Sequence, residues 1–278
     1  MEFKLGSQLS TDELKELQLD MLKEIDAFCK EKGLTYFLTY GTLIGAIRHS
    51  GYIPWDDDID ILMPRPDYEK FIGSYKSDKS YVISDQLDTN YQYLFAKVSD
   101  RNTVLIEDTA KRADVGAYID VFPLDGLPDS EDEGIKHIKK KIFWVKLYDI
   151  KRLKLYSKYR AGYKNVLLVF LKMILLPVPF RLILNRIKSI MTKYEYKDSS
   201  KVVEMVFARP NRIVSKDLFA NVIQWKFEDS YMNVPKGYHE YLASIYGDYM
   251  RLPSEENRIT HHRFKVYWKD NISKDNSI

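Results

Sequence analysis

Cysteine is almost missing from this chain, since Cys29 is the single one among 278 residues. One cysteine excludes an intrachain disulfide, a C-x-x-C redox pair and a cysteine-based zinc site. Residues 1–10 lack the apolar run behind a basic start that marks a signal peptide, so we expect a reducing, cytoplasmic compartment. Hydrophobic residues make up 45% of the chain and charged residues 30%, which is an ordinary globular composition and argues against a disordered or fibrous chain.

A long uninterrupted apolar run is missing as well. The most apolar segment, 166–184, contains Lys172 and Arg181 and is broken by Pro177 and Pro179. It therefore falls short of the about 18 apolar residues that a membrane-spanning helix needs. The segment indicates either two core helices of a helical subdomain or two helices that lie on a membrane surface.

Charge is unevenly distributed along the chain. The formal net charge is +3, yet the segment from Lys136 to Lys164 contains eleven lysines or arginines and one acid, Asp149, so the remainder carries −7. The basic segment predicts an anionic partner, and its position beside the apolar segment favours peripheral association with an anionic membrane. Nucleic acid is the alternative, but no motif that reads DNA or RNA accompanies the basic segment, so we expect none.

Hydrophobic periodicity predicts alternating helices and strands. Ser10 and Glu13 have the spacing of a capping box, and they begin a helix that Gly33 ends. Further helices are predicted at 43–49, 67–75, 131–157, 166–176, 180–194 and 237–246. Strands or β-rich runs are predicted at 35–40, 59–63, 81–84, 93–99, 103–107, 117–122, 202–207 and 222–228. We divide the chain into a core (1–128), a basic and apolar helical insertion (129–200) and a C-terminal part that completes the core and the active site (201–278).

Asp56, Asp58 and Asp60 occupy alternate positions, and the last of them lies within the predicted strand 59–63. Residues i and i+2 of a strand point to the same face, so we expect Asp58 and Asp60 to project together. Two carboxylates on one face repel each other and are stable there mainly when a divalent cation neutralises them. A solvated acidic turn is the alternative, but the interleaved Ile59 and Ile61 require a buried face and favour a metal site.

A third acid and a turn complete the pattern. Asp120 lies within the apolar strand 117–122, where a carboxylate without a partner would be costly, although a structural aspartate with satisfied hydrogen bonds remains open. Asp125 is expected in a turn. Gly41 and Thr42 lie between a strand and a helix, where backbone N–H groups form an anion site.

These motifs resemble the nucleotidyltransferase superfamily typified by DNA polymerase beta and, within it, the LicD family of phosphotransferases, which includes the fukutin-related proteins. The matching blocks are GTLIGAIRH at 41–49, GYIPWDDDID at 51–60, MPR at 63–65, YIDVFPLD at 118–125, YGDYM at 246–250 and HH at 261–262. Thr42 departs from the Gly or Ser of the wider superfamily, but members of the LicD family carry Thr at this position.

The resemblance implies a fold and a reaction. The expected fold is α/β (α+β), a polymerase-beta-like core with a mixed sheet and a helical insertion subdomain. The expected enzyme is a metal-dependent CDP-alcohol phosphotransferase. It would move phosphocholine from CDP-choline to a sugar hydroxyl of a teichoic acid or lipopolysaccharide precursor, with release of CMP, at the inner face of the cell membrane. Mg²⁺ or Mn²⁺ would be held by Asp58, Asp60 and Asp120, and Asp120 would orient or deprotonate the acceptor.

Other residues are expected to bind the donor. Arg48 and Arg65 flank the acids and either hold phosphate oxygens or form surface ion pairs with Asp56 or Asp57. The family block assigns His261 and His262 a role at the donor phosphate, and Trp55 and Tyr118 offer aromatic faces to a trimethylammonium group. The donor-binding residues are thus Gly41, Thr42, Arg48, Trp55, Arg65, Tyr118, His261 and His262.

Three alternatives stay open at this point. One is transfer of glycerol or ribitol phosphate from its CDP donor to a capsular or teichoic polymer. Another is a true nucleotidyltransferase that releases pyrophosphate. The last is an inactive glycan-binding scaffold, which the presence of all three acids argues against.

Overall fold

The computed structural model describes residues 3–84, 86, 91, 93–107, 115–153, 162–260 and 264–271. The chain forms two compact units, one of residues 1–124 and 216–278 and the other of residues 125–215. The second unit extends beyond the expected insertion (129–200) at both ends, because strand residues cluster there with the helices.

The described residues form both helices and strands. The helices are α1 (Thr11–Lys32), α2 (Tyr40–His49), α3 (Arg65–Ser74), α4 (Glu131–Arg152), α5 (Gly162–Leu175), α6 (Phe180–Met191) and α7 (Tyr238–Tyr246). The strands are β1 (Phe3–Gln8), β2 (Phe37–Leu38), β3 (Asp60–Pro64), β4 (Ser80–Ile83), β5 (Ala96–Asp100), β6 (Thr103–Glu107), β7 (Tyr118–Leu127), β8 (Lys201–Glu204), β9 (Val214–Ser215), β10 (Val222–Phe227), β11 (Ser230–Pro235) and β12 (Phe264–Asn271).

Helix α1 has the ends that its sequence predicts. The Ser10 side chain accepts a hydrogen bond from the Glu13 backbone N–H, the Glu13 side chain accepts one from the Ser10 backbone, and Gly33 ends the helix in the left-handed conformation with φ 63°. Leu22, Ile25 and Cys29 form part of its buried face. Burial raises the pKa of the Cys29 thiol to about 12, so this cysteine is a packing residue and not a nucleophile.

A mixed sheet forms the centre of the first unit, and it confirms the α/β class. Within this unit its strands follow the order β2-β3-β7-β5-β4. Strands β3 and β7 run parallel, whereas the neighbouring pairs are antiparallel. The central pair is mostly apolar, with Ile61, Leu62, Ile119 and Val121 fully buried. This pair fixes the position of the acids that begin and interrupt it.

Strand β7 is longer than the sequence predicts. It continues past the expected end at Pro123 to Leu127, and all ten of its residues are buried. The expectation that Asp125 lies in a turn is wrong, because the residue is buried within this strand. Pairing of Pro64 with Leu124 continues the ladder beyond Pro123, so the contact with β3 extends the strand past a residue that often ends one.

Two smaller sheets complete the first unit. Strands β1, β12 and β6 form an antiparallel sheet in that order, and β10 pairs with β11 as a hairpin. Strands β1 and β12 were not predicted from the sequence. These two strands pair across almost the whole length of the chain, for example Leu5 with Lys269. A local sequence pattern cannot predict a contact between such distant segments.

The second unit contains α4, α5 and α6 with the short strands β8 and β9, which pair antiparallel. Helix α4 ends at Arg152, before the predicted end at residue 157, and residues 154–161 lie outside the described part of the chain. Ile138, Ile183 and Ile187 are fully buried, and the His137 Nε2 lies 2.8 Å from the Ile190 carbonyl oxygen. No helix in the described residues is by itself long and apolar enough to cross a membrane.

Candidate active site

The acids of the two central strands lie side by side. Asp60 is the first residue of β3, and in the parallel register its partner on β7 is Asp120. The Asp120 backbone N–H donates to the Ile59 carbonyl oxygen at 2.9 Å, which locks the two strands together at this point. The structure therefore brings Asp120 beside Asp60, as the sequence predicts.

Asp58 lies in a different structural element from the one expected. Strand β3 begins at Asp60, so the prediction that Asp58 and Asp60 alternate along one strand is wrong, and Asp58 lies in the segment between α2 and β3. There the carboxylates of Asp56, Asp57 and Asp58 place ligand oxygens within 4.8 Å of one another. Each of the three side chains is partly buried.

Electrostatics connect these acids into one cluster. Loss of hydration raises the pKa of Asp60 well above its ordinary value, and the negative charges of Asp58, Asp120 and Asp56 raise it further. The ammonium of Lys97 acts in the opposite direction and lowers the Asp60 pKa. We call Asp56, Asp57, Asp58, Asp60 and Asp120 the acid cluster. At Asp60, burial and the three neighbouring carboxylates raise the pKa by more than Lys97 lowers it.

The acid cluster fits a divalent cation. Its donors are all carboxylate oxygens, which suit hard cations such as Mg²⁺ and Mn²⁺. Burial and the neighbouring carboxylates raise the pKa of Asp60, and a bound cation would favour its charged form. Asp58, Asp60 and Asp120 remain the predicted ligands, and Asp56 and Asp57 are further candidates that the sequence argument did not assign.

Lys97 is the functional candidate that sequence reasoning missed. It lies on β5 opposite Asp120 in the antiparallel register, is 4% exposed, and forms an ion pair with the Asp120 carboxylate. Its Nζ also lies 3.4 Å from the centre of the Tyr118 ring and 5.1 Å from that of Tyr93. The available signal was a lysine inside the β-rich run 93–99, since a buried lysine requires a partner of opposite charge.

The Tyr118 ring contacts a lysine of the protein, which was not expected. The ring shares a strand face with Asp120, as predicted, and both side chains contact the Lys97 ammonium. Tyr118 is buried at 9% exposure. A protein cation thus already occupies the aromatic face that was assigned to a trimethylammonium group.

Gly41 and Thr42 belong to a helix and not to a turn before it. Helix α2 begins at Tyr40, whose φ of 48° is unusual for a side-chain-bearing residue, and the predicted start at residue 43 is late. A Cβ on Gly41 would lie 2.5 Å from Asp56 Oδ2, so glycine admits this carboxylate to the first turn of the helix. The Thr42 Oγ1 accepts a hydrogen bond of 2.8 Å from the Asp60 N–H. Both residues position the acid cluster.

Removal of the Thr42 hydroxyl is expected to destabilise the start of β3. Thr42→Val deprives the Asp60 N–H of its acceptor and should lower the free energy of unfolding by about 1–3 kcal/mol, whereas Thr42→Ser should stay near the wild type. Urea unfolding of the three proteins measures this difference. Equal midpoints for Thr42→Val and the wild type would show that the hydrogen bond contributes nothing.

Arg48, Arg65 and Trp55, which were predicted to bind the donor, each contact other residues of the protein. The Arg48 Nη1 donates to the Tyr249 carbonyl oxygen at 2.9 Å, which links α2 to the C-terminal block. The Arg65 Nη1 donates to Glu69 Oε1 at 3.0 Å. The Arg258 guanidinium lies 5.7 Å from the centre of the Trp55 ring. The predicted residues His261 and His262 lie outside the described part of the chain.

Comparison with known proteins identifies relatives of this chain. Residues 33–156 match the family described as LicD/FKTN/FKRP, nucleotidyltransferase domain. The lipopolysaccharide cholinephosphotransferase LicD of Haemophilus influenzae is 32% identical over 263 residues, which cover 91% of this chain and 97% of that protein. Mannosyltransferase regulator 4 of Saccharomyces cerevisiae is 31% identical over 112 residues, which cover 37% of this chain and 9% of that protein.

The extent of these matches decides the family. The family match contains the whole of α2, β3 and β7, and with them every member of the acid cluster. The likeness to the Haemophilus influenzae enzyme extends over nearly the full length of both chains. The chain therefore belongs to the LicD family, and this membership supports a transferase.

Proposed function

We propose that this protein transfers phosphocholine from CDP-choline to a sugar hydroxyl of a lipopolysaccharide or teichoic acid precursor and releases CMP. The acceptor is a glycan or lipid-linked glycan, and the reaction takes place at the inner face of the cell membrane. The core is proposed to be of the nucleotidyltransferase type, and Mg²⁺ or Mn²⁺ is the proposed cofactor. The alternative donors are CDP-glycerol and CDP-ribitol.

The observation that carries this proposal is the acid cluster beside Lys97. Carboxylates that face one another across two parallel strands suit a cation that binds a diphosphate, and the LicD relative supplies the transferred group. A divalent cation bound by these carboxylates would neutralise negative charge on the diphosphate and on the leaving CMP. Asp58, Asp60 and Asp120 would hold it, with Asp56 adjoining them.

The reaction assigns separate tasks to the protein residues. Asp120 accepts the proton of the acceptor hydroxyl while the hydroxyl oxygen forms a bond to the phosphorus that bears choline. The bond from this phosphorus to the CMP oxygen breaks, and CMP leaves with the electron pair. Lys97 positions Asp120 for this step through their ion pair. Thr42 holds the backbone of Asp60 in place.

Trp55 is the aromatic residue that we retain for recognition of the choline head group. It directly precedes Asp56 and is partly buried, and its ring centre lies 5.7 Å from the Arg258 guanidinium, whereas the Lys97 ammonium lies only 3.4 Å from the centre of the Tyr118 ring. Trp55→Ala should weaken CDP-choline binding by about 0.5–2 kcal/mol and leave CMP binding unchanged, and Trp55→Phe should retain most of the affinity. Calorimetric titration with each nucleotide measures both values. Equal losses for CMP and CDP-choline would contradict a role in choline recognition.

The proposed function is tested by release of CMP. The purified protein is incubated with lipopolysaccharide as acceptor, Mg²⁺ or Mn²⁺, and CDP-choline, CDP-glycerol or CDP-ribitol in separate reactions. We expect CMP from CDP-choline, dependent on acceptor and abolished by EDTA. Release of CMP from CDP-glycerol or CDP-ribitol but not from CDP-choline would show that one of those compounds is the donor. Release of pyrophosphate from a nucleoside triphosphate would indicate a nucleotidyltransferase.

A further inference from the structure

Helix α5 exposes a large apolar surface in the second unit. Asn165 and Leu168 are its buried residues, and they face the rest of this unit. The side chains on its other sides are largely apolar and well exposed, from 40% to 71%: Tyr163, Val166, Leu167, Val169, Phe170, Met173 and Ile174. Leu176, directly after the helix, is 80% exposed. We call these eight residues the α5 face. A contiguous apolar surface of this kind marks an interaction site.

Basic side chains belong to the same unit. Helix α4 exposes Lys136, Lys139, Lys140, Lys146 and Arg152, and Lys164 lies in the first turn of α5. Arg181 and Arg186 are exposed on α6. Apolar side chains on a helix beside lysines and arginines are the combination that binds the interface of an anionic bilayer.

The geometry favours a helix that lies in the interface over one that crosses the membrane. Helix α5 has 14 residues, which is about 21 Å of helix, whereas the hydrocarbon core is about 30 Å thick. The chain then bends by 89° before the next helix. The Lys172 Nζ donates to the Lys151 carbonyl oxygen and the Lys151 Nζ donates to the Leu175 carbonyl oxygen, each at 3.0 Å. These bonds attach α5 to α4.

Charge also argues against a second copy of the chain as the occupant. A two-fold symmetric dimer places the same patch of each copy against the other, so the basic surface of one unit would approach the basic surface of its partner. Like charges brought together in this way oppose association, whereas anionic lipid head groups neutralise them.

We propose that the α5 face inserts into the head-group region of an anionic bilayer and holds the protein at the membrane surface. Tyr163, Phe170 and Ile174 enter the apolar boundary, and the basic residues of α4 and α6 contact the lipid phosphates. This proposal identifies the surface that would hold the protein at the membrane location proposed above. It does not rest on the transfer reaction, because membrane binding is measured without turnover.

Vesicle flotation tests the α5 face directly. The full chain is mixed with vesicles of phosphatidylcholine alone or with about one third phosphatidylglycerol, in low and in high salt. We expect binding to the anionic vesicles at low salt and a weakening in high salt. Phe170→Ser/Ile174→Ser should reduce this binding by about tenfold or more, because each substitution removes apolar area that the bilayer buries.

Matched controls separate insertion from other causes. Tyr231→Ser removes a side chain that is 64% exposed on β11 of the first unit, and it should bind vesicles as the wild type does. Circular dichroism confirms that each variant is folded. Lys139→Gln/Lys140→Gln should weaken binding to anionic vesicles more than it weakens any binding to neutral ones.

Three results would overturn the proposal. The first is wild-type binding by the folded Phe170→Ser/Ile174→Ser variant. The second is equal binding to neutral and anionic vesicles. The third is a dimer in sedimentation that this variant dissociates while the wild type fails to float, because a second copy would then be the occupant of the α5 face.

Discussion

Replacing Asp60 with asparagine is expected to lower turnover at least about a hundredfold, equivalent to about 3 kcal/mol of transition-state stabilisation. Asparagine keeps the shape of the side chain but removes its negative charge. Burial raises the pKa of Asp60 and the neighbouring carboxylates raise it further, so we expect its negative charge to contribute to cation binding. Initial rates of CMP release from CDP-choline measure the loss.

Stability separates loss of chemistry from loss of fold. The Asp60→Asn change removes repulsion from Asp58 and Asp120, so in EDTA the free energy of unfolding should equal or exceed that of the wild type. Mn²⁺ should raise the thermal midpoint of the wild type and leave that of the variant nearly unchanged. Asp20→Asn is the matched control, since the Asp20 side chain is 73% exposed. Near-normal turnover of Asp60→Asn would contradict the metal assignment.

Replacing Lys97 with methionine is expected to cost the most stability. Methionine approximates the length of lysine but leaves the Asp120 carboxylate without the ammonium that balances it, next to the remaining acids. Loss of one partner from a buried ion pair typically lowers the free energy of unfolding by about 3–5 kcal/mol. Guanidinium or urea unfolding in EDTA measures this change. Turnover should fall as well, because Asp120 loses the group that positions it.

A double-mutant cycle isolates the ion pair. Lys97→Met/Asp120→Asn removes both charges and should recover part of the stability that Lys97→Met loses. Lys226→Met is the matched control, because Lys226 is also on a strand but is exposed. If Lys97→Met unfolds at the wild-type midpoint, or if the double variant is no more stable than Lys97→Met, the ion pair is not a stabilising contact.

Local patterns predicted much of the first unit. The capping box of α1 is present in the structure, because cap chemistry is a property of a short segment. The neighbouring position of the acid-bearing strands was implied by the family resemblance. The bounds of β3 and α2 were less predictable. Thr42 accepts a hydrogen bond from the Asp60 N–H across 18 residues, and such a contact between the starts of two elements is not visible in the sequence of either one.

Contacts between distant segments account for what was missed. The role of Lys97 becomes visible only from the pairing of β5 with β7, because its partner Asp120 is 23 residues away in the chain. The sheet of β1, β12 and β6 joins segments from both ends of the chain, and of its three strands β6 was predicted whereas β1 and β12 were not. The assignment of Tyr118 to the substrate cation likewise did not foresee a cation supplied by the protein.

The mass of the modified acceptor tests the central proposal most directly. The protein is incubated with Mg²⁺, lipopolysaccharide and CDP-choline whose three N-methyl groups carry deuterium, and the acceptor is analysed by mass spectrometry. Transfer of phosphocholine predicts an acceptor that gains one phosphate together with the deuterated choline, and an equal amount of free CMP. An acceptor that gains CMP, or one that stays unmodified while CDP-glycerol or CDP-ribitol modifies it, would contradict phosphocholine transfer by this protein.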